Sequence, residues 1–432
     1  MTFDFESWPF SSSQTWMPDE EEQWWAKCYL PNPSETTILD SPQWLILRGG
    51  YQSGKTTALA ALRRARSQDA LILNKDFATE ASTAGPQTNI LHWIMRTASW
   101  SLREHLSRHP ELIPTLSRTQ REFLRWSIEK FHQTRAFTRW LDGLPAMAAQ
   151  ELHKTQYTDL YPTQTITYDV QGQIEELVNL CTRIGFEQVL ITVDLPPFPE
   201  PQVVTEINNL LGWLEPMQHP QLQLALALPP NLCTPERLQL TRGRAKIIDL
   251  SSSEQHTQDI MHRYLDLATN GRIQKLEELC NELLHQKLET VILREFDHPS
   301  PGAWIKLIKI LLNKSKGWID EGKKLQLDET VSEDIVREYY RLHLPLRVIL
   351  NENRLGVWRG YKWIQLDRSR YDFLMLLFSR RGRRVNHNQA QTTKSYLHTL
   401  ARRLRVAIEP YPSRPIYLQS DRGEGYWLEH FK

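Results

Sequence analysis

The chain has 432 residues, 40% of them apolar and 24% charged, with a formal net charge of +1; that is the profile of a globular protein too long for one ordinary core. No apolar run approaches the ~20 residues a membrane helix needs, and the opening Met1-Thr-Phe-Asp-Phe-Glu-Ser-Trp8 lacks the basic and apolar regions of a secretory signal, so a cytoplasmic protein with no membrane partner is expected. Cys28, Cys181, Cys233 and Cys280 form no C-x-x-C pair and the histidines no H-E-x-x-H spacing, which excludes the common zinc and disulfide frameworks and leaves the thiols as buried core groups.

Residues 1–44 combine Pro9, an acidic run at 19–22 and Trp24-Trp25 with a Pro/Asn/Ser-rich stretch. They read as a lead-in that packs on the domain that follows. Residues 45–60 are Leu-Ile-Leu-Arg-Gly-Gly-Tyr-Gln-Ser-Gly-Lys-Thr-Thr-Ala-Leu-Ala, an apolar strand running through G-x-x-x-x-G-K-T into a helix. Gly49 and Gly54 let the backbone turn tightly enough to aim successive N–H groups at phosphate oxygens, and the helix adds its positive dipole end. Lys55 then reaches the β- and γ-phosphates and Thr56 holds Mg²⁺, with Thr57 in the same turn. The spacing therefore predicts a site for ATP with Mg²⁺ built on Gly49, Gly54, Lys55, Thr56 and Thr57.

A short apolar run at 70–73 predicts a second buried parallel strand. From about 88 to 152 apolar residues recur at helical spacing, so an all-helical insertion is expected. The α/β rhythm returns with a helix near 174–181, a Gly185 stop and a strand over 189–194 that ends in Asp194. A carboxylate at that point, about 140 residues after Lys55, can reach the Mg²⁺ hydration shell. The next residues are Leu195, Pro196 and Pro197. Leu195 cannot polarise water, so hydrolysis is expected to be slow or absent unless Glu200, a few residues on, supplies the base. Apolar strands follow at 222–228 and 247–250; Asn231 after the first is a candidate phosphate sensor, and Arg242 and Arg244 before the second are candidate finger arginines. Residues 254–340 are helical apart from Pro299-Ser-Pro-Gly302, as in a lid.

With these features together, residues 1–340 resemble the AAA+ and STAND class of P-loop ATPases, close to the origin-recognition-like branch. The resemblance rests on Pro9-Phe10 with the acidic run, 49–57, Leu180-Cys-Thr-Arg-Ile-Gly-Phe186 leading into 189–194, Ile247-Ile-Asp-Leu-Ser-Ser252, and Pro301-Gly302 opening a lid helix. It implies an ATP-controlled switch able to form homo-oligomers. Trp304 stands about where a sensor arginine is found in that class, and Lys306 is the basic residue near enough to replace it.

The near-neutral total hides an asymmetry. From Arg341 onward there are 18 Lys and Arg against 7 Asp and Glu, so this tail carries +11 and the rest −10, the footprint of a nucleic-acid-facing module on an acidic body. Residues 346–365 alternate like a small antiparallel sheet; Asp367 caps a helix carrying Tyr371, Leu374, Met375 and Phe378; a second helix spans about 392–408; and a hairpin covers 416–428. Residues 346–430 resemble the winged-helix output domain of OmpR-type response regulators, through Ser420-Asp-Arg-Gly-Glu-Gly-Tyr-Trp-Leu428 at the wing and Tyr396-Leu-His-Thr-Leu-Ala-Arg-Arg-Leu404 in the recognition helix. The resemblance implies major-groove contacts from Lys394, His398 and Arg402, phosphate or packing roles for Arg403 and Arg405, and a wing contact from Arg422. Only about ten residues separate the two helices, where that family fits a supporting helix and loop.

The expected fold class is α/β: a P-loop parallel sheet with a helical insertion (45–252) and a helical lid (253–340), followed by a small α+β winged-helix domain (341–432). The function this implies is an ATP-binding regulator whose nucleotide state controls assembly and duplex-DNA binding. A STAND-type signalling or scaffold protein, using the winged helix to dock a protein partner, stands beside it as the alternative.

Overall fold

The computed structural model describes residues 9–10, 17–41, 44–77, 90–132, 134–153, 170–213, 215, 217–321, 329–348, 355–421 and 424–431. The chain divides into two compact units, a sheet unit of residues 32–50 and 54–251 and a helical unit of residues 1–31, 51–53 and 252–432. The lead-in is therefore split: α1 (Pro18–Lys27) lies in the helical unit, whereas α2 (Glu35–Leu39) lies in the sheet unit.

In the sheet unit β1 (Trp44–Arg48) runs into α3 (Lys55–Ala65) and β2 (Ala70–Asp76). Then come α4 (Ile90–Arg108), a 3₁₀ turn, α5 (Arg118–His132), α6 (Thr134–Asp142), α7 (Ala146–His153) and α8 (Val170–Arg183), which make up the expected helical insertion and the helix after it. β3 (Gln188–Asp194), α9 (Pro201–Gly212), β4 (Leu222–Ala227), α10 (Pro235–Gln239) and β5 (Ala245–Asp249) complete the unit. All five strands are parallel, in the order β2-β3-β4-β1-β5. The central strands are buried almost throughout, as expected for a sheet covered on both faces. Alternation still sorts the side chains: Leu45 and Leu47 pack with Leu59 and Leu62 of α3, while Trp44 and Ile46 share a core with Ile94 and Leu102 of the insertion. Because β4 lies between β1 and β3, the P-loop strand and the strand of Asp194 are not neighbours, yet parallel direction brings their C-terminal ends to one edge.

The helical unit contains α11 (Glu254–Ala268), α12 (Leu276–Leu279), α13 (Glu282–Phe296), α14 (Pro301–Asp320) and α15 (Glu329–His343). Beyond them lie an antiparallel sheet of β6 (Leu346–Arg347), β7 (Gly356–Arg359) and β8 (Lys362–Gln365), the helices α16 (Arg368–Ser379) and α17 (Lys394–Ile408), and a hairpin of β9 (Leu418–Asp421) and β10 (Gly425–Leu428). Side-chain caps set the helix starts: Ser253, Asn281, Asp367 and Thr393 each accept the N–H three residues on. One apolar core runs from Met261 and Leu265 through Leu307, Leu311 and Tyr339 to Leu374, Leu404 and Leu428, so lid and tail, read as separate domains from sequence, share their interior.

A buried charged network joins the same two parts. Glu295, 2% exposed, accepts from Arg359 at 2.7 and 3.1 Å and from the Tyr340 hydroxyl at 2.6 Å, and Arg359 also donates to the Ile408 carbonyl at the end of α17. The lead-in attaches here too. Trp24 Nε1 donates to the Tyr264 hydroxyl at 2.9 Å and the Phe10 ring lies 5.9 Å from that of Tyr264, because burying these aromatics on α11 removes large apolar surfaces from water.

Candidate functional site

At the C-terminal edge of the parallel sheet, β1 turns into the N-terminus of α3 through Gly54, whose φ of +93° puts it in the left-handed region that glycine enters without steric cost. Lys55, the first residue of α3, folds back so that Nζ donates to the carbonyls of Gly49 at 2.9 Å and Gly50 at 2.7 Å. Burial lowers its pKa to about 8, against weaker upward pulls from Cys233 and Asp194. Such a cation, held by loop carbonyls alone, suits an anion arriving at the loop. In the loop itself the Ser53 hydroxyl is buried without a hydrogen-bond partner among the described residues, a free donor that, with the Lys55 ammonium, fits a phosphate group.

Asp194 closes β3 and takes a hydrogen bond from the Thr56 hydroxyl, joining the two residues proposed to hold the metal. Burial raises the pKa of Asp194 and the Asp76 carboxylate adds to the rise, while Thr56, Lys55 and Arg63 pull it down. Asp76 ends β2 directly beside Asp194 in the strand register. Arg63, from the third turn of α3, donates to Asn74 Oδ1 at 3.0 Å and to the Thr192 hydroxyl at 3.4 Å, and burial lowers its pKa against the attraction of Asp194 and Asp76. Asp76 and Arg63 were not singled out from sequence; the only available signal was an acidic residue at the end of a strand paired with β3.

Glu200 is exposed at the N-cap of α9 and is not among the groups acting on Asp194 or Lys55. Asn231 is exposed on a 3₁₀ turn after β4. Arg242 and Arg244 both pair with Glu215, at 3.1 and 2.8 Å, which braces the connection into β5. Leu195 is buried. Thr57 follows Thr56 in the first turn of α3 and is half-buried. In the helical unit Trp304 is buried in the core, and burial lowers the pKa of Lys306 to about 8.

On α17, Leu397, Leu400, Ala401, Leu404 and Ile408 face the core at helical spacing. Lys394, Ser395, His398, Thr399 and Arg402 line one open groove on the outer side. His398 is tied to the hairpin by a 2.5 Å hydrogen bond with the Tyr426 hydroxyl. Arg403 is exposed and acts on Asp367 at the start of α16. Arg405 is a tether: its guanidinium donates to the Leu418 carbonyl at 3.0 Å and the Ser420 hydroxyl at 2.8 Å, which takes it out of the exposed set. Arg422 lies outside the described residues. The buried Glu409 carboxylate accepts the N–H groups of Ile416, Tyr417 and Leu418 at 2.7–2.8 Å and fixes the hairpin to the end of α17.

No protein-family model and no curated protein matches the chain. Among solved structures it is similar to Cdc6p from Pyrobaculum aerophilum, at 13% identity over 98% of this chain and 93% of that one with a TM-score of 0.37. It is also similar to the Aeropyrum pernix ORC1 protein in complex with DNA, at 12% identity over 92% and 86% with a TM-score of 0.34. Values this low leave the α/β assignment to the sheet order and the P-loop themselves. Among the described residues no helix is long and apolar enough to cross a membrane, and no group of three His, Cys, Asp or Glu is placed to hold a metal.

Proposed function

We propose that the chain is an ATP-binding regulator of the AAA+/STAND type whose nucleotide state controls assembly and duplex-DNA binding through a C-terminal winged helix. The observation that carries this reading is the joining of Lys55, Thr56 and Asp194 at one edge of a parallel sheet, with the orphaned Ser53 hydroxyl in the same loop. Lys55 would leave the loop carbonyls for the β- and γ-phosphates, Thr56 and Asp194 would hold Mg²⁺, and the loop N–H groups would cradle the phosphate oxygens. Bound ATP supplies a phosphoanhydride whose charge Mg²⁺ partly neutralises.

The exposed cations of α17 support the DNA reading, since unpaired surface charge is what displaces counterions from a duplex. Two or more such modules held at matching spacing gain a factor of roughly 10²–10⁴ in affinity, which is how assembly would control binding.

Calorimetry of the full chain with ATP and Mg²⁺ tests the first half of the proposal. Binding that Lys55→Ala abolishes is the expected result, and equal affinity in the two proteins rejects the site. Phosphate release should stay below ~1 s⁻¹, the low end of ordinary turnover, because Leu195 offers no base. Absence of duplex binding at low salt would move the C-terminal module to a protein-docking role.

A further inference from the structure

The apex of the P-loop, Tyr51 to Ser53, is gripped by groups of the helical unit to which it belongs. The Tyr51 ring stacks on that of Tyr361, in the turn between β7 and β8, with centroids 4.6 Å apart and planes 21° apart. Gln52 Nε2 donates to the Tyr361 hydroxyl at 3.3 Å. From the start of α14, the Ser300 hydroxyl donates to the Tyr51 carbonyl at 3.3 Å and the Gly302 N–H to the Gln52 carbonyl at 3.2 Å. A Cβ on Gly302 would stand 2.9 Å from Gln52 Cβ, so only glycine lets that turn approach so closely.

These contacts fix the direction of the loop amides. In a trans peptide C=O and N–H point opposite ways, so holding the carbonyls of Tyr51 and Gln52 aims the N–H groups of Gln52 and Ser53 away from Ser300 and Gly302. Gln52 has φ +61°, a left-handed conformation that a non-glycine residue keeps only when its surroundings impose it. Positive φ at Gln52 and again at Gly54, with Ser53 between them, is the alternation by which backbone N–H groups are gathered into an anion-binding nest.

We propose that Tyr361 is a positioning residue for the nucleotide: through its stack on Tyr51 and its contact with Gln52 it holds the apex of the P-loop in phosphate-binding form. The turn between β7 and β8 thereby shares one conformational equilibrium with the loop, and a nucleotide that binds one form of the loop better shifts that turn as well. This rests on the nucleotide reading above.

The test titrates ATP with Mg²⁺ into the full chain and four variants, with thermal melting as the control for folding. Tyr361→Ala should weaken binding about tenfold, the scale of one lost aromatic pair, while Tyr361→Phe, which keeps the stack, stays within about twofold. Tyr51→Ala removes the same stack from the loop side, so it should reproduce the tenfold loss even if Tyr361→Ala folds poorly. Weakened binding in both alanine variants at an unchanged melting temperature, with phenylalanine binding normally, is the result a general packing defect would not give. If Tyr361→Ala and Tyr51→Ala bind as the wild type does while Lys55→Ala does not bind, the positioning role is overturned and the nucleotide site stands. If Lys55→Ala also binds normally, both are overturned.

Discussion

Two buried charge clusters, one in each unit, differ in a way that separates binding from structure. Around Glu295 every charge has its partners: both carboxylate oxygens are taken by Arg359, one also by Tyr340, and Arg359 reaches the Ile408 carbonyl as well. Around Lys55 the account is open. The ammonium has only loop carbonyls, its pKa falls to about 8 through burial, the pKa of Asp194 is raised, and the Ser53 hydroxyl of the same loop is orphaned. Satisfied buried charge fixes a fold, whereas unsatisfied buried charge waits for a ligand.

The largest expected effect lies in the satisfied cluster. Glu295→Ala leaves the Arg359 guanidinium buried without a counter-charge and should lower unfolding stability by about 3–5 kcal/mol in urea titrations. Lys55→Met removes a charge that burial already disfavours, so the same titration should show stability within about 0.5 kcal/mol of the wild type or above it. A Lys55→Met protein as destabilised as Glu295→Ala would erase the distinction.

The exposed cations of α17 sharpen the contrast from outside. If Lys394 and Arg402 both meet phosphates, replacing both with alanine should reduce the slope of log K against log[salt] by about 2 and weaken duplex binding roughly fiftyfold at 0.1 M salt. Binding measured by fluorescence anisotropy across a salt series decides it. A weaker complex with an unchanged slope would mean lost packing instead of lost charge contacts.

The smallest effect is the response of the open cluster to pH. The folded-state pKa of Lys55, about 8, lies below its ordinary 10.5. The charged form is therefore disfavoured in the empty site, and this penalty is present in full below pH 8 and relieved as pH rises toward 10.5. An arriving phosphate needs the charged form, so ATP affinity should fall as pH passes 8, to about a tenth at pH 9 of its value at pH 7. Calorimetry in buffers of different ionisation enthalpy should register proton uptake on binding near pH 8 and above. Affinity flat across that range would mean that Lys55 does not face the phosphates.

The legible part of the site was the contiguous part. Gly54, Lys55 and Thr56 sit in one turn, so their spacing alone specifies how they can be arranged, and Asp194 was readable as the polar end of an apolar strand. Nothing local reveals that Glu215, more than 25 residues before Arg242 and Arg244, pairs with both. Arg405 reads as one more basic residue of a recognition helix until the hairpin folds back and engages it.

By itself the sequence determined what short-range physics can specify: apolar runs that must be buried on two faces, the 3.6-residue periodicity of the insertion and of α17, the caps at Asp367 and Thr393, and a glycine-rich turn before Lys55. Tertiary structure alone decided what depends on distant segments meeting. It placed Asp76 beside Asp194 and Arg63 near both, divided the lead-in between two units, merged lid and tail around one core with Glu295 and Arg359 inside it, and set Tyr361 on Tyr51, 310 residues away in sequence. Periodicity and turn chemistry act over a few residues, while the pairing of charges and rings across the chain follows from how whole elements pack.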